Sequence, residues 1–388
     1  MRGNITRRGK SSWRVKFDLD RDPVSGKRQT RYVTVRGKRQ DAERELARLL
    51  NEAHNGTLVE PSKLTVAEYM RARVEHWHAS KQISAKTAER YRELVENQIT
   101  PHIGNTLLQK LRPLDLEKWH TALDRSGRKD GKSGVSKRTV GHAHRVLFKA
   151  LNEAVKHGLI IQNAAAVEKA PKVQADEMVI LTSEQVSDLA AKLRGHAMCA
   201  EAITALFTGL RRGELLALRW KNVDLENEKL IRVRQALEHT AAFGIRFKEP
   251  KTKAGRRDVS LPDIVVEALR DRRRQQLEIR MALGLGKLPD EALVFPALDG
   301  EPQTPRVFSK RWTVAARALG AGDITFHALR HTHASQLIDA GIDIVTISRR
   351  LGHSSPAVTL SIYAHLFRQR DDKAAKAIND ALAGIGEL

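Results

Sequence analysis

Two arginines, two histidines and a tyrosine carry the clearest chemistry in this chain. Arg211 lies in Thr208-Gly209-Leu210-Arg211-Arg212-Gly213-Glu214, and His327 and Arg330 in His327-Ala328-Leu329-Arg330. His353 follows in Leu351-Gly352-His353, and Tyr363 in Ser361-Ile362-Tyr363-Ala364-His365. A guanidinium fork holds two phosphate oxygens at once. A tyrosine hydroxyl can attack phosphorus and form a covalent intermediate, and histidines move protons or donate hydrogen bonds. Together these residue types make a kit for covalent phosphoryl transfer. Each taken alone has a plainer reading: Tyr363 as a packed helix aromatic, Glu214 as a solvated helix glutamate. It is the combination, in this order and spacing, that is specific.

The same histidines raise the question of a metal. His327 and His331 stand four residues apart, a common ligand relation, with His333 close behind. No acidic or cysteine ligand completes the set, and Arg330 sits inside it. We therefore expect no metal, and read His331 and His333 as structural; covalent transfer through a tyrosine implies no nucleotide cofactor either.

Composition fits a polyanionic partner. The 388 residues include 68 Lys and Arg against 46 Asp and Glu, a formal net charge of +22. Such a balance points to nucleic acid, and the basic residues recur in every segment. The lone cysteine, Cys199, allows no internal disulfide and no cysteine-based zinc site, and its Ala-rich surroundings read as core. No apolar run is long enough to span a bilayer, and the basic N-terminus lacks the apolar stretch of a signal peptide. The expectation is a reducing, cytoplasmic setting in association with the nucleoid, with no membrane.

The elements that must position the kit divide into three segments, mostly α with small β elements (α+β). In residues 1–60, Trp13, Val15, Phe17 and Leu19 alternate with charged residues at the strand period. Asp22 to Gly26 reads as a turn, Gln29 to Val35 as a second strand, and Ala42, Leu46, Leu49, Leu50 and Ala53 as one helix face. A basic sheet backed by a helix either lays Arg14, Lys16 and Arg31 against DNA or is an accessory domain with an ordinary charged face; the charge bias favours DNA.

Residues 62–171 read as a helical bundle. Thr65 to Glu68 is a capping box, a second helix ends before Pro101, Pro113 opens a third, and Ser136 caps a longer fourth that Gly158 stops. Lys137 and Arg138 at the start of that helix either face phosphates or form a solvated surface. Glu168 to Ala175 reads as a linker. In residues 176–388, Thr182 to Gln185 is another capping box. Helices dominate there, interrupted by strand candidates at Leu230–Ala236, Phe243–Lys248 and Asp258–Leu261, with a basic turn, Glu249 to Arg257, between the last two.

The pieces TGLRRGELLALRW (208–220), PKTKAGRRDVSLP (250–262), HALRH (327–331), LGH (351–353) and SIYAH (361–365), in this order, resemble the tyrosine recombinases of the phage-integrase family. The helical second segment is similar to that family's core-binding domain, and the basic first segment to the arm-binding domain of integrases. The resemblance implies that Tyr363 attacks the scissile phosphate and becomes linked to the DNA 3′ end. Neighbouring cations are expected to lower its pKa from about 10. It implies that Arg211 and Arg330 clamp the nonbridging oxygens, His327 is the general acid/base, His353 hydrogen-bonds the phosphate and Glu214 supports the arginine or histidine. A lysine on a β-hairpin turn would protonate the leaving 5′ oxygen: Lys251, directly before threonine, with Lys253 as the alternative.

The implied partners are double-stranded DNA at core and arm attachment sites, a homotetramer in the synapse, and an excisionase or host DNA-bending protein. The implied reaction is site-specific integration or excision of a prophage or other mobile element. The alternatives are a chromosome-dimer-resolving recombinase, a group that usually lacks the basic arm domain, a tyrosine-type topoisomerase, or a non-catalytic DNA-binding regulator. After Tyr363, the amphipathic stripe Ala374, Ala377, Ile378, Ala381 and Leu382 packs either on its own domain or on a neighbouring protomer.

Overall fold

The computed structural model describes residues 3–21, 28–54, 58–173, 178–250, 252–367 and 378–380. The chain divides into two compact units, Met1–Gln174 and Ala175–Leu388.

The first unit opens with β1 (Gly3–Gly9), β2 (Ser12–Arg21) and β3 (Arg28–Arg36), an antiparallel sheet in that order, followed by α1 (Arg39–His54). The alternation of β2 sends Val15 and Phe17 into a small core with Ala42 and Leu49 of α1. Arg14 and Lys16 lie on the opposite face, where Arg14 stands between Thr6 and Thr34 and Lys16 between Asn4 and Tyr32. Strand β1 escaped the sequence reading because Ile5 is its only large apolar residue. Arg31 departs from expectation. It pairs in register with Phe17, so it shares the helix-covered face, and its guanidinium forms an ion pair with Glu60. It therefore does not belong to the outer basic face. The Asp22–Gly26 turn lies outside the described residues.

A separate core in the same unit gathers Trp77, Leu116, Trp119 and Leu147. It is built from α2 (Val66–Ala79), α3 (Ala85–Leu94), α4 (Thr100–Ile103), α5 (Pro113–Ser126), α6 (Lys137–Lys156) and α7 (Ala164–Val167). The Thr65/Glu68 capping box, Pro113 in the first turn of α5, and Ser136 accepting from the Thr139 amide are all present. Gly158 follows α6 at φ +66°. The second helix does not stop before Pro101, however. A π turn, Val95–Ile99, carries it into α4, and Pro101 sits in the first turn there, where a missing N–H is tolerated. Lys137 and Arg138 are exposed in the first turn of α6.

The second unit contains α8 (Ser183–Leu193), α9 (Cys199–Thr208), α10 (Arg212–Leu216), β4 (Val223–Asp224), β5 (Leu230–Val233), β6 (Ala236–Thr240), β7 (Gly244–Lys248) and β8 (Arg257–Ser260). It continues with α11 (Asp263–Ala282), α12 (Pro305–Ala318), α13 (Phe326–Asp339), α14 (Ile344–Leu351) and α15 (Pro356–Phe367). The Thr182/Gln185 capping box opens α8. The stretch Leu230–Ala236 is two strands rather than one. β5 lies between β4 and β8, whereas β6 pairs only with β7 in a hairpin. The break falls at Arg234, whose side chain donates to the Val233 and Arg257 carbonyls and to Asp258.

Helices thus dominate and the sheets are small and antiparallel. Cys199 is partly buried, and burial pushes its thiol pKa up, away from nucleophile duty. Of the C-terminal stripe only Ile378 lies among the described residues, and it is exposed. Among the described residues no helix is long and apolar enough to cross a membrane.

Candidate active site

Two left-handed glycines set the backbone of the site. Gly209 caps α9 at φ +66°, and a Cβ there would come within 2.7 Å of His333 Cδ2 and 2.8 Å of Leu351 Cδ2. The turn it makes sets Arg211 at the N-cap of α10. Gly352 caps α14, also at φ +66°, and its Cβ would meet the Arg257 guanidinium at 2.7 Å. We expect Gly209→Ala to destabilise the second unit by about 1–3 kcal/mol from left-handed strain and overpacking. Thermal denaturation would show this as a lowered Tm, and an unchanged Tm would refute the close approach.

The two arginines converge on consecutive carbonyls of one turn. Arg211 donates to the Gly352 carbonyl at 3.0 Å, and Arg330 to the Leu351 carbonyl at 2.7 Å. Arg330 also donates to the Gly209 carbonyl at 2.6 Å. Its side chain is buried, and burial together with Arg211 lowers its pKa to about 9, which still leaves it charged at neutral pH. Arg211 is partly exposed. Arg212, its neighbour, turns aside to hydrogen-bond Ser309 on α12.

Glu214 ties Arg211 to a third arginine, Arg257 on β8. It accepts from the Arg211 backbone and guanidinium at 2.9 and 2.8 Å, and from Arg257 at 2.9 and 3.2 Å. Burial alone would raise the Glu214 pKa, but Arg257 and Arg211 outweigh it and hold it below the usual carboxylate value. A folded-state pKa below the unfolded one means stability that is present above the unfolded value of about 4.3 and lost as pH falls through the folded value. Glu214→Gln leaves Arg257 buried without its counter-charge. The expected loss is about 3–5 kcal/mol, and a urea midpoint measured at neutral pH checks it.

The histidines divide by partner. His327 is exposed at the surface of the site, while partial burial and then His331, Arg330, Arg211 and Arg212 push its pKa down to about 4. His353 is buried, bonds Thr359 on α15 through Nδ1 at 2.8 Å, and is likewise pushed down to about 4 by burial and by Arg330, Arg211 and Arg257. Both are therefore neutral hydrogen-bonding groups at pH 7 before an anion binds. His333 accepts from Arg350 at 3.0 Å. His331, read from sequence as structural, instead bonds the Tyr363 hydroxyl through Nδ1 at 2.7 Å, with its ring edge-on to His327 at 4.6 Å.

Tyr363 is 1% exposed and packs among Ala334, Ile338, Ile347 and Leu351. Its pKa is pushed up to about 12, against the expected lowering, because burial outweighs the single cation acting on it, Arg330. Lys251 lies outside the described residues. Lys253 is exposed on a short 3₁₀ turn before β8.

The structure therefore brings Arg211, Glu214, His327, Arg330, His353 and Tyr363 into one locality of the second unit. It adds residues that the sequence reading assigned no role. Arg257 bonds Glu214 and the Arg350 carbonyl, and Arg350 reaches the Phe207 and Ser260 carbonyls. Strand alternation was the available signal for Arg257, since it and Val259 point inward while Asp258 and Ser260 point out. Among the described residues no cluster of three or more His, Cys, Asp or Glu side chains could hold a metal.

Residues 180–370 match the family described as the phage integrase family, and residues 70–123 match the N-terminal SAM-like domain of phage integrases. A tyrosine recombinase XerC-like protein of Caldanaerobacter subterraneus subsp. tengcongensis is 25% identical over 396 residues, covering 97% of this chain and 98% of that protein. An integrase of Streptomyces ambofaciens is 28% identical over 362 residues, covering 92% and 90%. The Tn1549 transposon integrase solved with transposon right end DNA superposes with a TM-score of 0.67 at 22% identity, over 82% of this chain and all of that one. With these matches spanning both units, and with the five sequence motifs in the second unit, the chain belongs to the phage-integrase family of tyrosine recombinases.

Proposed function

We propose that this protein is a site-specific DNA integrase that cuts and rejoins strands through a 3′-phosphotyrosine, integrating or excising a mobile element. The observation that carries this reading is the convergence of Arg211 and Arg330 beside a buried tyrosine bonded to a partly buried histidine. A phosphate bound between the two guanidiniums would have its developing charge met by preset donors. Its negative charge would raise the proton affinity of His327 and His353, which lie against the same arginines.

Tyr363 attacks phosphorus and the 5′ oxygen leaves, protonated by Lys251 or Lys253. The covalent bond conserves the phosphodiester, so resealing needs no nucleotide. Three functional domains serve the reaction. Residues 1–60 bind arm sites through the face carrying Arg14 and Lys16, residues 62–171 bind the core site with Lys137 and Arg138 among the contacts, and residues 176–388 carry the chemistry. Four protomers form the synapse on double-stranded DNA, with an excisionase or a host DNA-bending protein setting direction.

The test is the polarity of cleavage. Nicked duplexes from the DNA flanking the gene are incubated with the protein and resolved under denaturing conditions. The proposal expects protein on the 3′ side and a free 5′ hydroxyl that polynucleotide kinase labels without phosphatase. A 5′-linked adduct, or cleavage without an adduct, would refute it.

A further inference from the structure

The Tyr363 hydroxyl is buried, and its hydrogen-bond partner is an imidazole rather than a carbonyl or a carboxylate. A phenol in that setting donates, so His331 Nδ1 accepts and its proton resides on Nε2. The cation acting on the hydroxyl, Arg330, holds its proton too tightly to act as a base. His327 stands one ring further out, edge-on to His331. Around the hydroxyl, His331 is therefore the group that offers a lone pair at hydrogen-bond distance. Burial and Arg330 also lower its pKa, which keeps it unprotonated at neutral pH.

We infer that His331 is a catalytic residue, the general base that takes the Tyr363 proton as the hydroxyl attacks phosphorus. The inference rests on the reading of Tyr363 as nucleophile. In the forward step the Oη–P bond forms, the P–O5′ bond breaks and the phenolic proton passes to Nδ1. The leaving 5′ oxygen takes a different proton, from the lysine of the turn before β8. In religation the attacking 5′ hydroxyl returns its proton to that lysine, and the His331 imidazolium protonates the departing tyrosine oxygen. One proton is held at each end of the phosphate throughout, and no redox partner is needed.

The geometry also explains why a buried tyrosine with a raised pKa can serve as nucleophile. The hydroxyl is deprotonated in the transition state by an adjacent base, so no standing phenolate is required.

The experiment is single-turnover formation of the covalent complex on a nicked suicide duplex, with the full chain and with His331→Ala and His331→Gln. DNA affinity is measured on the same preparations to report folding. We expect both variants to bind DNA like the wild type and to form the adduct about 10²–10⁴-fold more slowly. Glutamine can accept the hydroxyl's hydrogen bond but cannot hold its proton, so it should not rescue the rate.

The wild-type rate should rise with pH as His331 deprotonates, and that limb should vanish in the variants. The groups facing His331 that share this titration are His327 and Arg330 on α13, Tyr363 on α15 and His353 after α14. A duplex with sulfur at the 5′ bridging position, a leaving group that needs no proton, should leave the His331 variants slow. Restoration by that sulfur would move His331 to the other end of the phosphate and overturn the inference. A wild-type rate in His331→Gln would mean that the residue only positions the hydroxyl. A rate at or above wild type in His331→Ala would mean that the bond holds the tyrosine back. If the wild-type protein itself formed no adduct, the integrase reading would fail and this inference with it.

Discussion

Tyr363→Phe is expected to bind its DNA with unchanged affinity and leave no covalent adduct. Phenylalanine keeps the ring that packs against Ile338, Ile347 and Leu351 and removes one oxygen. The fold loses a single hydrogen bond to His331, about 1 kcal/mol. The chemistry loses its nucleophile, and deletion of a nucleophile elsewhere costs on the order of 10⁶-fold in rate. The two effects therefore separate cleanly by assay. A gel-shift titration should match the wild type while the denaturing gel shows free DNA alone. An adduct surviving the substitution would mean that another hydroxyl attacks.

Arg330 carries the second large effect, and here rate and stability fall together. The guanidinium satisfies the carbonyls of Gly209 and Leu351, so Arg330→Ala leaves two buried acceptors to be desolvated without a partner, at about 1–3 kcal/mol each. A transition-state arginine is worth about 10³–10⁵ in rate, and we expect a loss of that order in single-turnover cleavage. Arg330→Lys separates the two roles. It keeps the charge and part of the packing but has no fork, so stability should recover further than rate. If the lysine variant cleaves like the wild type, the bidentate clamp is wrong.

The sequence disclosed the helical elements and the reactive residue types because both depend on local pattern. The Thr65, Ser136 and Thr182 caps mark true helix starts, since a hydroxyl satisfying an orphan amide needs only its near neighbours. Contacts between distant segments were beyond it. Whether Arg31 faces outward depends on the sheet register and on Glu60. The break within 230–236 depends on which strand β6 pairs with. Whether Tyr363 has its pKa lowered or raised depends on how deeply α15 is packed, and charge counting ignored that burial. His331 reads as structural from sequence alone because its partner, Tyr363, lies on another helix 32 residues further along the chain.

The turn at Leu351–Gly352 has a consequence for how the protein is made. Arg211 is anchored to a carbonyl 141 residues downstream, and Arg330 to one 21 residues downstream. Chains are synthesised from the N-terminus and fold as they emerge, so Arg211 is made well before its anchor exists. A nascent chain that has not reached Leu351 holds neither arginine by this turn, and on the proposed function one that has not reached Tyr363 has no nucleophile. On the proposed function, an aborted or proteolytically shortened product ending before that point is expected to occupy DNA without breaking it. With Tyr363 as the nucleophile, the order of residues along the chain makes strand breaking a late-acquired property.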